Sequence, residues 1–379
     1  MLNFFLRILE GLYLRVHRRV YRRRLADQTV FEELYVVSVG NLSAGGTGKT
    51  PVALALAKYL REREIPALAV LRGYGGSAAR SAKPSAQASG VAGGLLVSDG
   101  ERRLTTVDVA GDEAMLFARS PGLRVAVGRD RVGAIREFAG DARVVLLDDA
   151  FQNPLVGRDH ELVLLDSLVP VHEMRVFPGG RFRDPPAALR QADTILLTRV
   201  DLASPPAVAE LEALVAEVAP EVPVFRGRHR PAKLTDLPSA SCDTNAANDA
   251  NDANDAVNKS EPAAIGAFCG LGNPEGFFQS LATPPNEIQP AFTRAFRDHH
   301  AYTTADIQTL FRAAEQAGHS DIHFVTSAKD FARLEALPDL DQEYRQRIHV
   351  LEIEFEVLDG RGSEFFERVL GPVLPADQK

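Results

Sequence analysis

Residues 43–50 read Ser43-Ala44-Gly45-Gly46-Thr47-Gly48-Lys49-Thr50. This matches the phosphate-binding P-loop at every defined position except the first, where Ser43 stands for glycine. The residue types fit the chemistry. Glycines let backbone N–H groups converge on phosphate oxygens, and a following helix turns its positive end on the same anion. Lys49 would reach the β- and γ-phosphates of ATP, and the Thr50 hydroxyl would ligate Mg²⁺. Pro51 suits the first turn of that helix. The alternative, a glycine-rich turn with a chance Gly-Lys-Thr, fits poorly between a buried-type strand and a helical pattern.

Further candidates follow along the chain. Val144-Val145-Leu146-Leu147-Asp148-Asp149 is an apolar strand ending in two acids, the form of a Walker-B carboxylate that completes a Mg²⁺ site. Gly111-Asp112-Glu113 opens a helical pattern, so Asp112 reads equally as a helix N-cap and as a catalytic carboxylate. Asp298-His299-His300 reads as a general base, a metal site or a structural pair. Thr198-Arg199-Val200-Asp201 faintly resembles the element that reads guanine in GTPases, with Arg199 in place of its lysine.

Positioning these groups requires strand–helix alternation. Strand-like runs at Leu34–Val39, Ala67–Leu71, Leu95–Ser98, Arg124–Val127, Val144–Leu147, Leu162–Leu165 and Thr194–Thr198 alternate with helical patterns at 51–64, 112–119 and 130–138. The fold class is therefore α/β: a P-loop NTPase-like parallel sheet with helices on both faces. From 237 to 262 the composition collapses to Asn, Asp, Ala and Ser, a linker or inserted loop. A smaller C-terminal α/β unit follows, with strands at 265–268, 322–325 and 349–355 and helices at 274–281, 304–317 and 328–334. The division is thus 1–24 basic amphipathic helix, 25–236 P-loop domain, 237–262 linker and 263–379 second unit.

The chain has 379 residues, 45% hydrophobic and 25% charged, which excludes a disordered or multi-span membrane protein. The net charge of −8 argues against nucleic-acid partners. Two cysteines, Cys242 and Cys269, are too few for a disulfide framework and fit a reducing compartment. Charge is uneven. Residues 1–24 hold seven arginines against Glu10 alone, leaving −14 on the remainder. Leu2, Phe5, Leu6, Leu9, Leu12, Tyr13, Val16 and Val20 recur at helical spacing, so this helix either lies in a membrane interface or packs on the core.

Val39-Gly40-Asn41-Leu42 leading into the P-loop resembles the tetraacyldisaccharide 4′-kinase family of lipid A biosynthesis. Further blocks of that family follow in order: Arg72-Gly73-Tyr74-Gly75-Gly76, Gly111-Asp112-Glu113, Asp148-Asp149 with Phe151-Gln152, Phe177-Pro178-Gly179-Gly180, and Arg183-Asp184-Pro185. Asp298-His299-His300, Tyr302-Thr303, Thr326 and Lys329-Asp330 complete the series. Ala150, Asn153 and Ala328 depart from the family's usual residues. The resemblance implies transfer of the ATP γ-phosphoryl group to the 4′-hydroxyl of tetraacyldisaccharide 1-phosphate, by a peripheral enzyme at the cytoplasmic face of a bacterial inner membrane. It implies Asp112 as base and His299 as its partner, reaching over from the second unit. Asp149 with Thr50 is the main Mg²⁺ set, and Asp148 and Asp184 are secondary. Arg72 and Arg131 are anchors for substrate phosphate or sugar, with structural ion pairs as the alternative. The membrane-interface reading of the N-terminal helix gains from a lipid substrate. Rival readings are a nucleotide-gated regulatory or metal-delivery GTPase and an ATP-dependent ligase.

Overall fold

The computed structural model describes residues 2–77, 94–236, 264–284 and 286–375. Helix α1 (Leu2–Ala26) precedes β1 (Tyr35–Asn41), the P-loop and α2 (Lys49–Arg61). Then come β2 (Ala67–Leu71), β3 (Leu95–Asp99), α3 (Val107–Ala110), α4 (Asp112–Phe117), β4 (Leu123–Val127) and α5 (Arg131–Phe138). β5 (Val144–Asp148), β6 (His160–Asp166), β7 (Thr194–Thr198), α6 (Pro205–Val218) and β8 (Val224–Asp236) complete the first part. The second part holds β9 (Ala264–Cys269), α7 (Pro274–Leu281), β10 (Phe292–Ala295), α8 (Thr304–Gln316) and β11 (Ile322–Ser327). It ends with α9 (Ala328–Glu335), α10 (Gln342–Gln346), β12 (Ile348–Val357) and α11 (Gly362–Leu370). The Asn-Asp-Ala tract and Cys242 lie outside the described residues.

The strands form one sheet in the order β10-β9-β11-β12-β8-β7-β6-β1-β5-β2-β4-β3. Pairing is parallel except for β3 on β4 and β12 on β8. β1 lies inside the sheet between β5 and β6 and is buried almost throughout, which its run of valines permits. On one face α2 buries Val52, Ala53, Leu56, Ala57 and Leu60, a four-residue recurrence that keeps one stripe on the sheet. Burying each Val or Leu of that stripe is worth about 1.5–3 kcal/mol. α5 packs Ala134 and Ile135 on the opposite face.

Two features modify the division read from the sequence. β8 pairs with β7 through Val224–Arg226 and with β12 through Gly227–Asp236, so one strand carries the sheet across both parts. Its polar character concealed it. Arg228 and Arg230 lie opposite Glu356 and Glu354 and pair with them at 2.9 and 3.1 Å, so its charges are answered across the ladder. The C-terminal α11 then returns to the first core, where Phe365, Val369 and Leu370 pack in the same cluster as Leu56 and Leu60. The second core is smaller, centred on Phe268, Phe311, Phe324 and Phe331.

The apolar positions of α1 divide between two directions. Tyr13 and Leu14 pack on the body, the Tyr13 hydroxyl donates to the Arg183 carbonyl at 3.1 Å, and Glu10 pairs with Arg175 at 2.8 Å. Phe5, Ile8, Leu12, Val16 and Val20 form an exposed stripe on another side. Among the described residues no helix is long and apolar enough to cross a membrane.

Candidate active site

The P-loop leaves β1 at the C-terminal edge of the sheet, where open α/β folds place ligands. Gly48, the residue before α2, has φ 83°. A Cβ there would run into the His229 ring of β8, so only glycine fits. Neighbouring strands brace the loop from behind. Arg199 donates to the Gly46 carbonyl at 2.9 Å and to Asp166 at 2.7 Å, and the Thr198 hydroxyl donates to the Thr47 carbonyl at 3.0 Å. Thr198-Arg199 is therefore engaged in supporting the P-loop itself.

β5 pairs with β1 so that Asp148 lies opposite Val39, and Asp149 follows in the left-handed region at φ 48°. The two acids differ. Asp149 accepts two bonds from Arg183, at 2.7 and 3.0 Å, and faces the Lys49 ammonium at 3.3 Å. Burial alone would raise its pKa, but the Arg183 bonds and the Lys49 charge prevail and hold it well below the usual range. Asp148 is buried with its Oδ1 lacking a hydrogen-bond partner among the described residues, and burial, aided by the Glu113 charge, pushes its pKa up to about 7. Arg183 also donates to Asn41 Oδ1 at 2.6 Å and to the Ser43 carbonyl at 3.0 Å, which ties P-loop to acids.

Asp112 is the first residue of α4, and the cap position belongs to Gly111, so the carboxylate is not spent on capping. Gly111 has φ 90°, and a Cβ on it would collide with the Tyr74 carbonyl, which lets the 72–76 loop press against the turn that presents Asp112. Asp112 is 1% exposed. Its Oδ2 lies 2.9 Å from His299 Nδ1, with Arg333 at 3.6 Å and Lys329 at 4.0 Å, all three from the second part of the chain. Its Oδ1 has no hydrogen-bond partner among the described residues.

His299 also sits in the left-handed region, at φ 57°. Non-glycine residues held there cost about 1–3 kcal/mol each and gather at functional sites. Its amide donates to the Gly270 carbonyl at 3.1 Å, and the Gly270 amide donates to the buried Asp330 at 3.0 Å. Asp330 further accepts from Ser327 at 2.6 Å and Tyr302 at 3.1 Å. His300 takes a structural task, stacking on Phe296 at 4.8 Å and meeting Asp306 at 3.3 Å.

A cleft of about 1340 Å³ runs between the two parts. Its walls include residues 43–47 and Thr50 on one side, Asp298 and Lys329 on the other, with Glu113 between. Two sequence candidates occupy different surroundings from those expected. Arg131 is buried and donates to the carbonyls of Asp148 and Asp149 at 2.7 and 3.2 Å, so it orients the acids and is not open to a substrate. Asp184 pairs with His17 of α1 at 3.4 Å, which engages its carboxylate away from the Lys49–Asp149 pair. Arg72 is exposed after β2 and has no ion partner among the described residues.

The family model for LpxK, tetraacyldisaccharide-1-P 4′-kinase, matches residues 2–371. The chain belongs to the tetraacyldisaccharide 4′-kinase family. The tetraacyldisaccharide 4′-kinase of Chlorobaculum parvum is 35% identical over 367 residues, 93% of this chain and 90% of that protein. That of Anaeromyxobacter dehalogenans strain 2CP-C is 35% identical over 340 residues, covering 88% and 80%. The fold is that of LpxK from Aquifex aeolicus, solved in complex with ATP, with TM-score 0.67 and 22% identity over 99% of this chain and 100% of that one. Within this 4′-kinase family member, sequence reading missed Arg183 as the clamp on Asp149, although its block was visible. It also missed His229 against Gly48, whose only signal was a histidine in a polar stretch.

Proposed function

We propose that this chain transfers the γ-phosphoryl group of ATP to the 4′-hydroxyl of tetraacyldisaccharide 1-phosphate. The observation that carries the reading is the Asp112–His299 pair, joined across the two parts of the chain beside the P-loop cleft. Family membership supplies the substrate class.

A sugar hydroxyl is a weak nucleophile, and a positioned carboxylate can take its proton as the phosphoryl group moves. Asp112 Oδ1 is the acceptor left open for that proton, while His299 holds Oδ2. The hydroxyl oxygen bonds to the γ-phosphorus, the bond to the β–γ bridging oxygen breaks, and ADP leaves with that electron pair. Lys49 and the P-loop amides hold the phosphates. Because Asp112 and His299 come from different parts, the pair depends on their mutual placement, which also excludes competing water.

The residues suit a Mg²⁺ ion shared with nucleotide phosphates. Among the described residues no group of three or more His, Cys, Asp or Glu could hold a metal by itself. Mg²⁺ commonly takes one or two carboxylates plus phosphates and water. The buried Asp148 carboxylate, whose Oδ1 has no hydrogen-bond partner among the described residues, and Thr50 are the residues we assign to it, with Asp149 held by Arg183 alongside. When bound, the ion neutralises developing charge on the phosphates.

The exposed stripe Phe5, Ile8, Leu12 and Val16 beside Arg15, Arg18, Arg19, Arg22 and Arg23 supports attachment to an anionic membrane surface, where the lipid substrate resides. We place the enzyme on the inner membrane's cytoplasmic face. The test is steady-state transfer from ATP or GTP to tetraacyldisaccharide 1-phosphate in mixed micelles. ATP-dependent formation of the 4′-phosphate is expected. Acceptor-independent phosphate release, or preference for GTP, would instead favour a hydrolase or switch.

A further inference from the structure

Lys329 opens the way into the Asp112–His299 pair from α9. Its Nζ lies 3.3 Å from His299 Nε2, 3.4 Å from Asp298 Oδ1 and 4.0 Å from Asp112 Oδ2. An ammonium carries three donors and no acceptor. Lys329 can therefore bond His299 Nε2 only if that nitrogen offers its lone pair. The ring proton then resides on Nδ1, the nitrogen that faces Asp112 Oδ2 at 2.9 Å.

We propose that Lys329 is a positioning residue that fixes His299 as the neutral Nδ1–H tautomer, so that His299 donates to Asp112 and Asp112 alone keeps the charge and the open oxygen needed to accept the substrate proton. This rests on the assignment of Asp112 as base.

The surroundings give the lock its purpose. Two carboxylates face the imidazole: Asp112 from α4, and Asp298 from the same loop, whose Oδ2 is 4.0 Å from Nε2. Each can accept a hydrogen bond from one of the two ring nitrogens. Arg333 of α9 lies against Asp112, and the Tyr74 ring flanks His299 at 6.3 Å. Lys329 is the cation that touches the imidazole itself. It opposes a second ring proton by its charge and by occupying Nε2, and it offsets Asp298. Without it, a proton on Nε2 could be shared with Asp298, and the doubly protonated ring would bind Asp112 more tightly and weaken it as a base.

The experiment uses the full-length chain labelled with ¹⁵N in histidine, with His299 assigned by loss of its signals in His299→Gln. Long-range ¹H–¹⁵N correlations in the wild type at pH 8 should show Nδ1 protonated and Nε2 bare. In Lys329→Met the His299 pattern should shift to the imidazolium or the Nε2–H tautomer. Its kcat should fall about 10-fold or more, as expected for a disturbed acid–base group, with KM for ATP little changed. Lys329→Arg, which also only donates, should restore the wild-type tautomer and much of kcat. A wild-type His299 carrying its proton on Nε2 would overturn the proposal without any variant. So would a Lys329→Met protein with reduced kcat but an unchanged His299 spectrum. Failure of the base assignment is separate: it would appear as undiminished transfer by Asp112→Asn, whatever the tautomer.

Discussion

Asp148 is a buried carboxylate whose environment disfavours its charge, and replacing it with asparagine gives a stability change of defined sign and pH dependence. An aspartate in the unfolded chain titrates near 3.8, whereas folding pushes Asp148 up to about 7. The folded protein thus keeps a proton through this window that the unfolded chain has released. Folding stability consequently falls as pH rises from about 4 to 7, and is flat for this group above that. At ~1.4 kcal/mol per pK unit, the penalty at pH 8 is on the order of 4 kcal/mol, an upper bound. An asparagine side chain at this position would carry no charge and keep nearly the same shape. Asp148→Asn should therefore be more stable than wild type at pH 8 by about 2–4 kcal/mol, with the gap closing towards pH 4–5. Calorimetric unfolding of both proteins across this range, without nucleotide, measures the gap. Adding ATP and Mg²⁺ should then stabilise the wild type by a Mg²⁺-dependent increment that the variant lacks. A gap of constant size across pH, or a wild type that is the more stable at pH 8, would show that burial of a charged Asp148 is not what destabilises the fold.

Other outcomes follow from the same geometry. Gly48→Ala places a Cβ in the His229 ring and an alanine at φ 83°, so ATP affinity should fall at least 10-fold by equilibrium titration, and His229→Ala should restore only part of it. Arg183→Ala frees Asp149 and Asn41 together, and kcat should drop about 100-fold, with Arg183→Lys recovering little because one ammonium cannot replace the fork. Asp330→Ala leaves the Gly270 amide unpaired behind His299; stopped-flow and denaturation measurements should show lower kcat together with about 1–3 kcal/mol of lost stability. Serine at Phe5, Ile8, Leu12 and Val16 together should abolish sedimentation with anionic vesicles while nucleotide binding is retained.

The sheet was legible in the sequence because its inner strands are continuous apolar runs. Ala67–Leu71 and Thr194–Thr198 occupy the bounds that their β-branched and aliphatic residues indicate. β8 was not legible, since Arg226, Arg228, His229 and Arg230 resemble a loop until Glu354 and Glu356 are placed opposite. α6 passed unremarked between strong strand signals, and α11 gave no sign that it would pack against α2. Helical spacing marked α1 as apolar but did not reveal which positions dock. For the site, the P-loop and the two acids could be read locally, because each is one short segment with a defined task. The division of labour between Asp148 and Asp149 could not be, because Arg183 lies 34 residues beyond Asp149 and arrives through tertiary structure. Asp112 and His299 lie 187 residues apart, and no local pattern joins them; only the family resemblance linked them in advance. Arg131 stayed open between a substrate anchor and a structural pair, because an arginine at a helix start does not announce the carbonyls it will meet.

The most direct test is single-turnover transfer of labelled γ-phosphate from ATP to tetraacyldisaccharide 1-phosphate in detergent micelles, by wild type and Asp112→Ala side by side. Rapid formation of the 4′-phosphorylated lipid is expected from the wild type, with a loss of roughly 100-fold or more in a variant that still binds ATP. A folded, ATP-binding wild type that leaves the lipid unphosphorylated, or an Asp112→Ala variant that transfers at the wild-type rate, would contradict it.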